Sequence, residues 1–248
     1  MGLTLKDSVP DEKTIWLFRE TLTQSGAMKR LFNKFNRHLE KKGLIAHKGS
    51  IVDASFVEVP RQRNMRDENK DIRNGDIPED WEDNPDKLRQ KDTDARWTKK
   101  HGQSYFGYKN HAKVDRDSKL ITNYAVSDAS VHDSQALGCL LDKSDAHHDL
   151  FGDSAYSSEE IDIKLKRMKI RNRIHEKGYR NHPLTRDQEE KNRKKSKIRA
   201  RIEHIFGFME NTMKAGFIRC IGIVRASAVI GHINLTYNLC RSAQLCRA

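Results

Sequence analysis

No stretch of this sequence is apolar for long enough to cross a bilayer. The longest apolar segment, Ile218 to Leu245, is broken by Arg219, Arg225, His232 and Arg241, whereas a spanning helix needs ~20 consecutive, mostly apolar residues. The first residues, MGLTLKDSVPDEK, carry neither the apolar core nor the small-residue cleavage site of a secretory signal, so the expected location is the cytoplasm. Cysteine is scarce: Cys139, Cys220, Cys240 and Cys246 show no CxxC spacing, which speaks against a zinc site and its grouped thiolates. Their apolar neighbours predict reduced core residues. No internal repeat is visible.

Charge, by contrast, is abundant. Of 248 residues 33% are charged and 36% hydrophobic, with a formal net charge of +12. Such a chain can bury one substantial core beneath a highly charged surface. The positive excess is local. Residues 61–95 carry 8 Lys/Arg against 11 Asp/Glu, whereas residues 164–201 carry 16 against 4, a surplus equal to that of the whole protein. A polyanion bound there would release its condensed counterions, which makes nucleic acid the natural partner. The competing reading is a solvated or disordered basic segment.

Along the chain, Val9 to Gly43 reads as a helical lead-in, with Ile15, Phe18, Leu22 and then Leu31, Phe35, Leu39 at helical spacing. The period changes at Gly49: residues 50–59, SIVDASFVEV, are rich in β-branched residues and predict a buried strand. Residues 60–98 turn polar, with Asn74-Gly75, Pro78 and Pro85 as breakers, and predict a long loop or mobile insertion. Tyr105–Val114 and Leu120–Val126, joined by polar turn formers, predict a hairpin. A helix opened by Val131-His132-Asp133, a short strand ending at Gly152-Asp153, a helix from Ser157, a fifth strand at 169–175, a long basic helix at 185–214 and a last helix at 225–245 complete the order. The sum is an α/β protein with helices on a mixed sheet.

Three carboxylates stand out. Asp53 lies inside an apolar strand, where an ionised acid is costly unless paired. Asp153 ends another strand, where open α/β sheets gather ligand-binding side chains. Glu203 shares the apolar side of a helix with Ile202 and Phe206. Brought together, three acids repel, and hard divalent cations such as Mg²⁺ relieve that repulsion. Two such ions ~4 Å apart can activate the attacking oxygen and stabilise the leaving oxygen of a phosphodiester displacement. Each acid also has a plain structural reading: strand-edge hydrogen bonding for Asp53, capping for Asp153, and an intrahelical pair with Arg199 for Glu203.

The runs Ile51-Val52-Asp53-Ala54-Ser55, Gly152-Asp153-Ser154-Ala155-Tyr156 and Arg199-x3-Glu203, together with Phe106-Gly107-Tyr108-Lys109-Asn110-His111 and Val131-His132-Asp133-Ser134, resemble the motifs of bacterial insertion-sequence DDE transposases, in particular the insertion-sequence-five group. The similarity covers nearly the whole chain. It implies a ribonuclease-H-like fold: three antiparallel strands, then parallel additions, flanked by helices, with residues 1–48 as a lead-in to a catalytic domain at 49–248. It also implies that Asp53, Asp153 and Glu203 hold two Mg²⁺ ions, with Mn²⁺ as a substitute. The implied activity is cleavage of element ends and strand transfer into target DNA. Terminal inverted repeats, target duplex and a homodimer or larger assembly on DNA would be the partners, in the nucleoid of a bacterium.

Two departures from the family signature Tyr-x2-Arg-x3-Glu-x6-Lys are Ser196 for its tyrosine and Glu210 for its lysine. Relatives usually carry a further helical region before the segment that begins here, which points to a shortened copy, an internal start or half of a split reading frame. A catalytically incompetent DNA-binding remnant and a ribonuclease-H-like nuclease are the alternatives.

The hairpin residues Lys109 and His111 are expected to touch phosphate, or else to be ordinary strand surface. His132 and Asp133 are expected to support the acids from behind, although Asp133 suits a helix start equally well. Lys191, Arg193, Lys194, Lys195, Lys197, Arg199 and Arg201 crowd the approach to Glu203 and predict a DNA face. Trp81 and Trp97 flank the polar insertion, as packing residues or as base-stacking aromatics.

Overall fold

The computed structural model describes residues 8–62, 64–100 and 102–247, so the reading of the first seven residues lies outside it. Its strands are β1 (Ser50–Glu58), β2 (Arg96–Lys100), β3 (Gln103–Asp115), β4 (Ile121–Asp128), β5 (Asp149–Phe151) and β6 (Arg171–Asn172). β3 is antiparallel to β1, β2 and β4, while β5 runs parallel to β1 and β6 parallel to β5. Three antiparallel strands followed by two parallel ones give the order β4-β3-β1-β5-β6, the topology of a ribonuclease-H-like sheet. The expected fifth strand shrinks to the two residues of β6.

Alternation along β1 sends successive side chains into two cores. Val52 joins Leu137 and Leu140 of α6 (Asp133–Leu140) and Ile161 and Leu165 of α7 (Glu159–Arg167). Ile51 joins Ile202 and Ile205 of α8 (Arg186–Asn211), Tyr237 of α9 (Ile223–Leu245), and Phe32 of α2 (Ala27–Lys41). The lead-in thus shares the main core through α2, while α1 (Glu12–Gln24) buries none of its residues. At Gly107, where φ is +145°, a Cβ would collide with the carbonyl of Val57, so β3 can approach β1 this closely only with glycine there.

The polar insertion is not a loop. It folds into α3 (Arg66–Asn74), α4 (Glu79–Glu82), α5 (Pro85–Arg89) and β2. Trp81 is 0% exposed and donates from Nε1 to Glu68 at 2.7 Å, which realises its packing reading. The segment is tied to the sheet by buried Asp92, whose oxygens both lie 2.8 Å from Tyr108 Oη. A few apolar anchors and side-chain hydrogen bonds replace the hydrophobic stripe that sequence periodicity detects.

The cysteines are free but not core residues: Cys139, Cys240 and Cys246 are exposed and Cys220 half-buried. The inward positions of α9 include, beside Ile230 and Tyr237, Asn234 and Asn238, which pair with Asn110 and Asn36.

Candidate active site

Asp53 sits midway along β1, 7% exposed, on the face that looks toward α8. Its Oδ1 accepts from the backbone N–H of Ala54 at 2.9 Å and its Oδ2 from Arg199 Nη1 at 2.7 Å. Burial pushes its pKa up to about 6, outweighing those two contacts, and the nearby Asp153 charge adds to the rise. Lys100, an exposed residue at the end of β2 that sequence reasoning passed over, acts in the opposite direction.

Asp153 follows β5 and caps a short turn, its Oδ1 accepting from Ala155 N–H at 2.9 Å. Gly152 lets the chain pack closely there, since a Cβ would stand 3.2 Å from both Val52 and Tyr156. Tyr156 is fully buried beneath the acids, and its hydroxyl has no hydrogen-bond partner among the described residues. Burial first, then the charges of Asp53, Asp133 and Asp153, hold that phenol far above its ordinary pKa.

Glu203 does not share the buried stripe of α8. Ile202, Ile205 and Met209 occupy it, and the glutamate, one residue round from Ile202, has a side chain 55% exposed. Its Oε1 accepts from Arg199 Nη2 at 2.7 Å. All three plain structural contacts are therefore present, yet none foresees that one guanidinium joins Asp53 to Glu203.

The set fits a divalent metal in chemistry. Every donor is a carboxylate oxygen, as hard cations prefer, and Arg199 already places a cation between two of the acids. Among the described residues, no three Asp, Glu, His or Cys side chains stand close enough together to hold one ion. Arg199 occupies the place between Asp53 and Glu203.

Lys109 and His111 do not present themselves to DNA, contrary to expectation. Lys109 is buried and gives its ammonium to Asp133 at 2.8 Å and to the Val131 carbonyl at 2.7 Å. His111 is 0% exposed, with Nε2 2.8 Å from Ser127 Oγ. The α6 layer covers their face of β3. Asp133 anchors Lys109, and His132, not Asp133, caps α6 by accepting from Ser134 N–H.

The description "Transposase DDE domain" belongs to the family model that matches residues 46–239. The chain belongs to the DDE transposase family. Family membership makes it a DNA-binding, DNA-cleaving enzyme of a class that works with divalent metal ions. The transposase is 29% identical over 232 residues to the transposase for insertion sequence element IS1106 of Neisseria meningitidis serogroup B, an alignment covering 91% of this chain and 76% of that relative. Against the Mos1 transposase paired-end complex with left transposon end, identity is 9% and the TM-score 0.27, over 97% of this chain and 66% of that one. So slight a likeness decides nothing.

The transposase divides its basic run between two tasks. Lys191, Arg193, Lys194 and Lys197 are exposed along α8, with Lys194 paired to Glu190 at 2.7 Å. Lys195 is folded back onto the Ile174 carbonyl at 2.8 Å, and Arg201 onto the Arg116 carbonyl and Asp117. Ser196 Oγ, at the signature tyrosine position, lies 3.3 Å from His175 Nε2. Trp97 is 42% exposed on β2, with Arg61 over its ring and Phe106 packed beside it. Among the described residues no helix is long and apolar enough to cross a membrane.

Proposed function

We propose that Asp53, Asp153 and Glu203 are the metal-holding acids with which this transposase nicks insertion-sequence ends and joins them to target DNA. The observation that carries the reading is the Arg199 fork, in which a single cation bridges acids 150 positions apart in the chain. Mg²⁺ is the ion we assign, two of which Asp53, Asp153 and Glu203 would hold, with Mn²⁺ as a substitute. When bound, such ions stabilise the attacking and leaving oxygens of a phosphodiester displacement.

The chain's own residues do the rest. Asp53 and Asp153 are fixed by backbone N–H groups at 2.9 Å, so the acids are aimed before substrate arrives. Arg199, once released, faces the same site and is free to take a phosphate oxygen in a two-pronged grip. Lys191, Arg193, Lys194 and Lys197 hold the duplex across α8. Water attacks the element-end phosphodiester, and the freed 3′-hydroxyl then attacks target DNA, without a covalent enzyme intermediate. The same reading takes residues 1–48 as a lead-in to the catalytic domain at 49–248, and a homodimer or larger assembly on DNA in the bacterial nucleoid.

The test is Mg²⁺- or Mn²⁺-dependent nicking and strand joining on DNA carrying the flanking terminal repeats, wild type against Asp153→Ala. Loss of both activities in a folded variant that still binds DNA is expected. Retained metal-dependent cleavage in that variant would sink the assignment, and a wild type that binds without cutting would indicate a DNA-binding remnant.

A further inference from the structure

Among the described residues, four buried side-chain polar atoms have no hydrogen-bond partner: Gln62 Oε1, His111 Nδ1, Tyr156 Oη and Arg199 Nε. Such atoms are rare in folded proteins, and each calls for a reason. Two of the four belong to the acid site. The direction of Arg199 Nε is set by the other two nitrogens of its guanidinium, which are spent on Asp53 and Glu203. No comparable contact accounts for the Tyr156 hydroxyl.

Packing on the ring places that hydroxyl. β5 leaves β1 after Ile51, the chain runs on through Gly152 and Asp153, and the Tyr156 ring enters the apolar cluster of Val52, Leu137, Leu140 and Ile161. The residue is 0% exposed, and a Cβ on Gly152 would stand 3.2 Å from its ring. A phenylalanine would fill the same space without burying an oxygen, so apolar packing alone does not explain a tyrosine here.

The surroundings of the oxygen are acidic. Burial first, then the charge of Asp53, and after it those of Asp133 and Asp153, keep the phenol protonated. A protonated phenol has one hydrogen to donate, and an ionised carboxylate only accepts, with room for about four hydrogen bonds. Asp53 has used two of its places, Oδ1 with Ala54 N–H and Oδ2 with Arg199. Carboxylates that hold metals are themselves oriented by hydrogen bonds from behind.

We infer that Tyr156 is a positioning residue for Asp53: its hydroxyl, idle in this arrangement, donates to the Asp53 carboxylate when the acids hold a divalent ion. The inference rests on the assignment of the acids proposed above.

Its test is Mn²⁺ binding, followed by the electron paramagnetic resonance signal of the free ion, together with thermal melts in EDTA, for wild type, Tyr156→Phe and Asp153→Ala. Tyr156→Phe removes the oxygen and keeps the ring. It should melt no earlier than wild type in EDTA, because the hydroxyl has no bond there to lose. Its Mn²⁺ affinity should nevertheless fall by about tenfold or more, a change that a role in packing alone would not produce. Undiminished affinity would overturn the inference. So would a variant that melts earlier in EDTA or fails to fold, since the hydroxyl would then serve the protein without metal, through an internal water for instance. Asp153→Ala tests the underlying assignment separately, and should lose Mn²⁺ binding that wild type shows. If wild type binds no Mn²⁺, or Asp153→Ala binds it equally well, the assignment of the acids falls, and this inference with it.

Discussion

Arg199 divides one guanidinium between two acids, Nη1 to Asp53 Oδ2 and Nη2 to Glu203 Oε1, each at 2.7 Å. In the metal-free protein it supplies the counter-charge for a carboxylate that burial alone would leave costly. Arg199→Ala should therefore melt earlier in chelator, by roughly 2 kcal/mol for a missing charged hydrogen bond to a buried group, and Mg²⁺ should restore more stability to the variant than to wild type. Thermal melts with EDTA and with Mg²⁺ check this. Equal metal-induced shifts in both proteins would mean that ion and guanidinium do not compete for one place.

Lys113 is 1% exposed and meets Asp142 and Asp145 at 2.7 Å each. Removing its charge strands Asp145 without a cation inside the protein. Lys113→Ala should cost about 3–5 kcal/mol in urea denaturation. Lys194→Ala, which breaks a surface pair with Glu190, should cost no more than ~0.5 kcal/mol.

His111 should make stability fall in acid. Burial lowers its pKa to about 4, with Lys109 helping and Asp133 and Asp128 opposing, against ~6.5 in the unfolded chain. A depressed folded pKa means that the unfolded state takes the proton first. The contribution is thus complete above pH ~6.5 and is lost as pH falls from there toward 4. Between pH 7.5 and pH 5, wild type should lose about 2 kcal/mol more than His111→Gln in chemical denaturation. Parallel pH profiles would show that this histidine does not carry the effect.

The exposed cations of α8 should govern the salt dependence of DNA binding. Replacing Lys191, Arg193 and Lys197 together by alanine should lower the slope of log affinity against log salt by up to ~0.9 for each phosphate that the protein no longer neutralises. Arg201→Ala, at a side chain tied to the β3–β4 turn, should leave that slope nearly unchanged. Anisotropy titrations at several salt concentrations separate the two.

Much of the fold is legible in the sequence. The apolar run around Asp53, the hairpin and the long basic helix carry strong local patterns, and the structure returns each as an element. The insertion is hidden because its order depends on residues far along the chain, such as Tyr108 bonded to Asp92. Lys109 and His111 mislead for a related reason. From Phe106 to Asp115 every residue of β3 is buried, because layers cover both faces of that strand, and alternation of polar and apolar residues cannot signal a face covered by ion pairs. Glu203 reads as deeper than it is, since neighbouring isoleucines fix the direction of a helical stripe but not the fate of the residue at its margin.

The parting of the sheet at β1 has a mechanical consequence. β5 accompanies β1 only at Ser50 and Ile51, and the next backbone partner on that flank is the chain around Phe217, bonded on either side of Glu58. Asp53 therefore rides on a span clamped at both ends and unsupported along one margin between them. On the reading proposed above, that open margin leaves Asp53 reachable by a DNA strand while the hydrogen bonds at both ends hold β1 in its sheet.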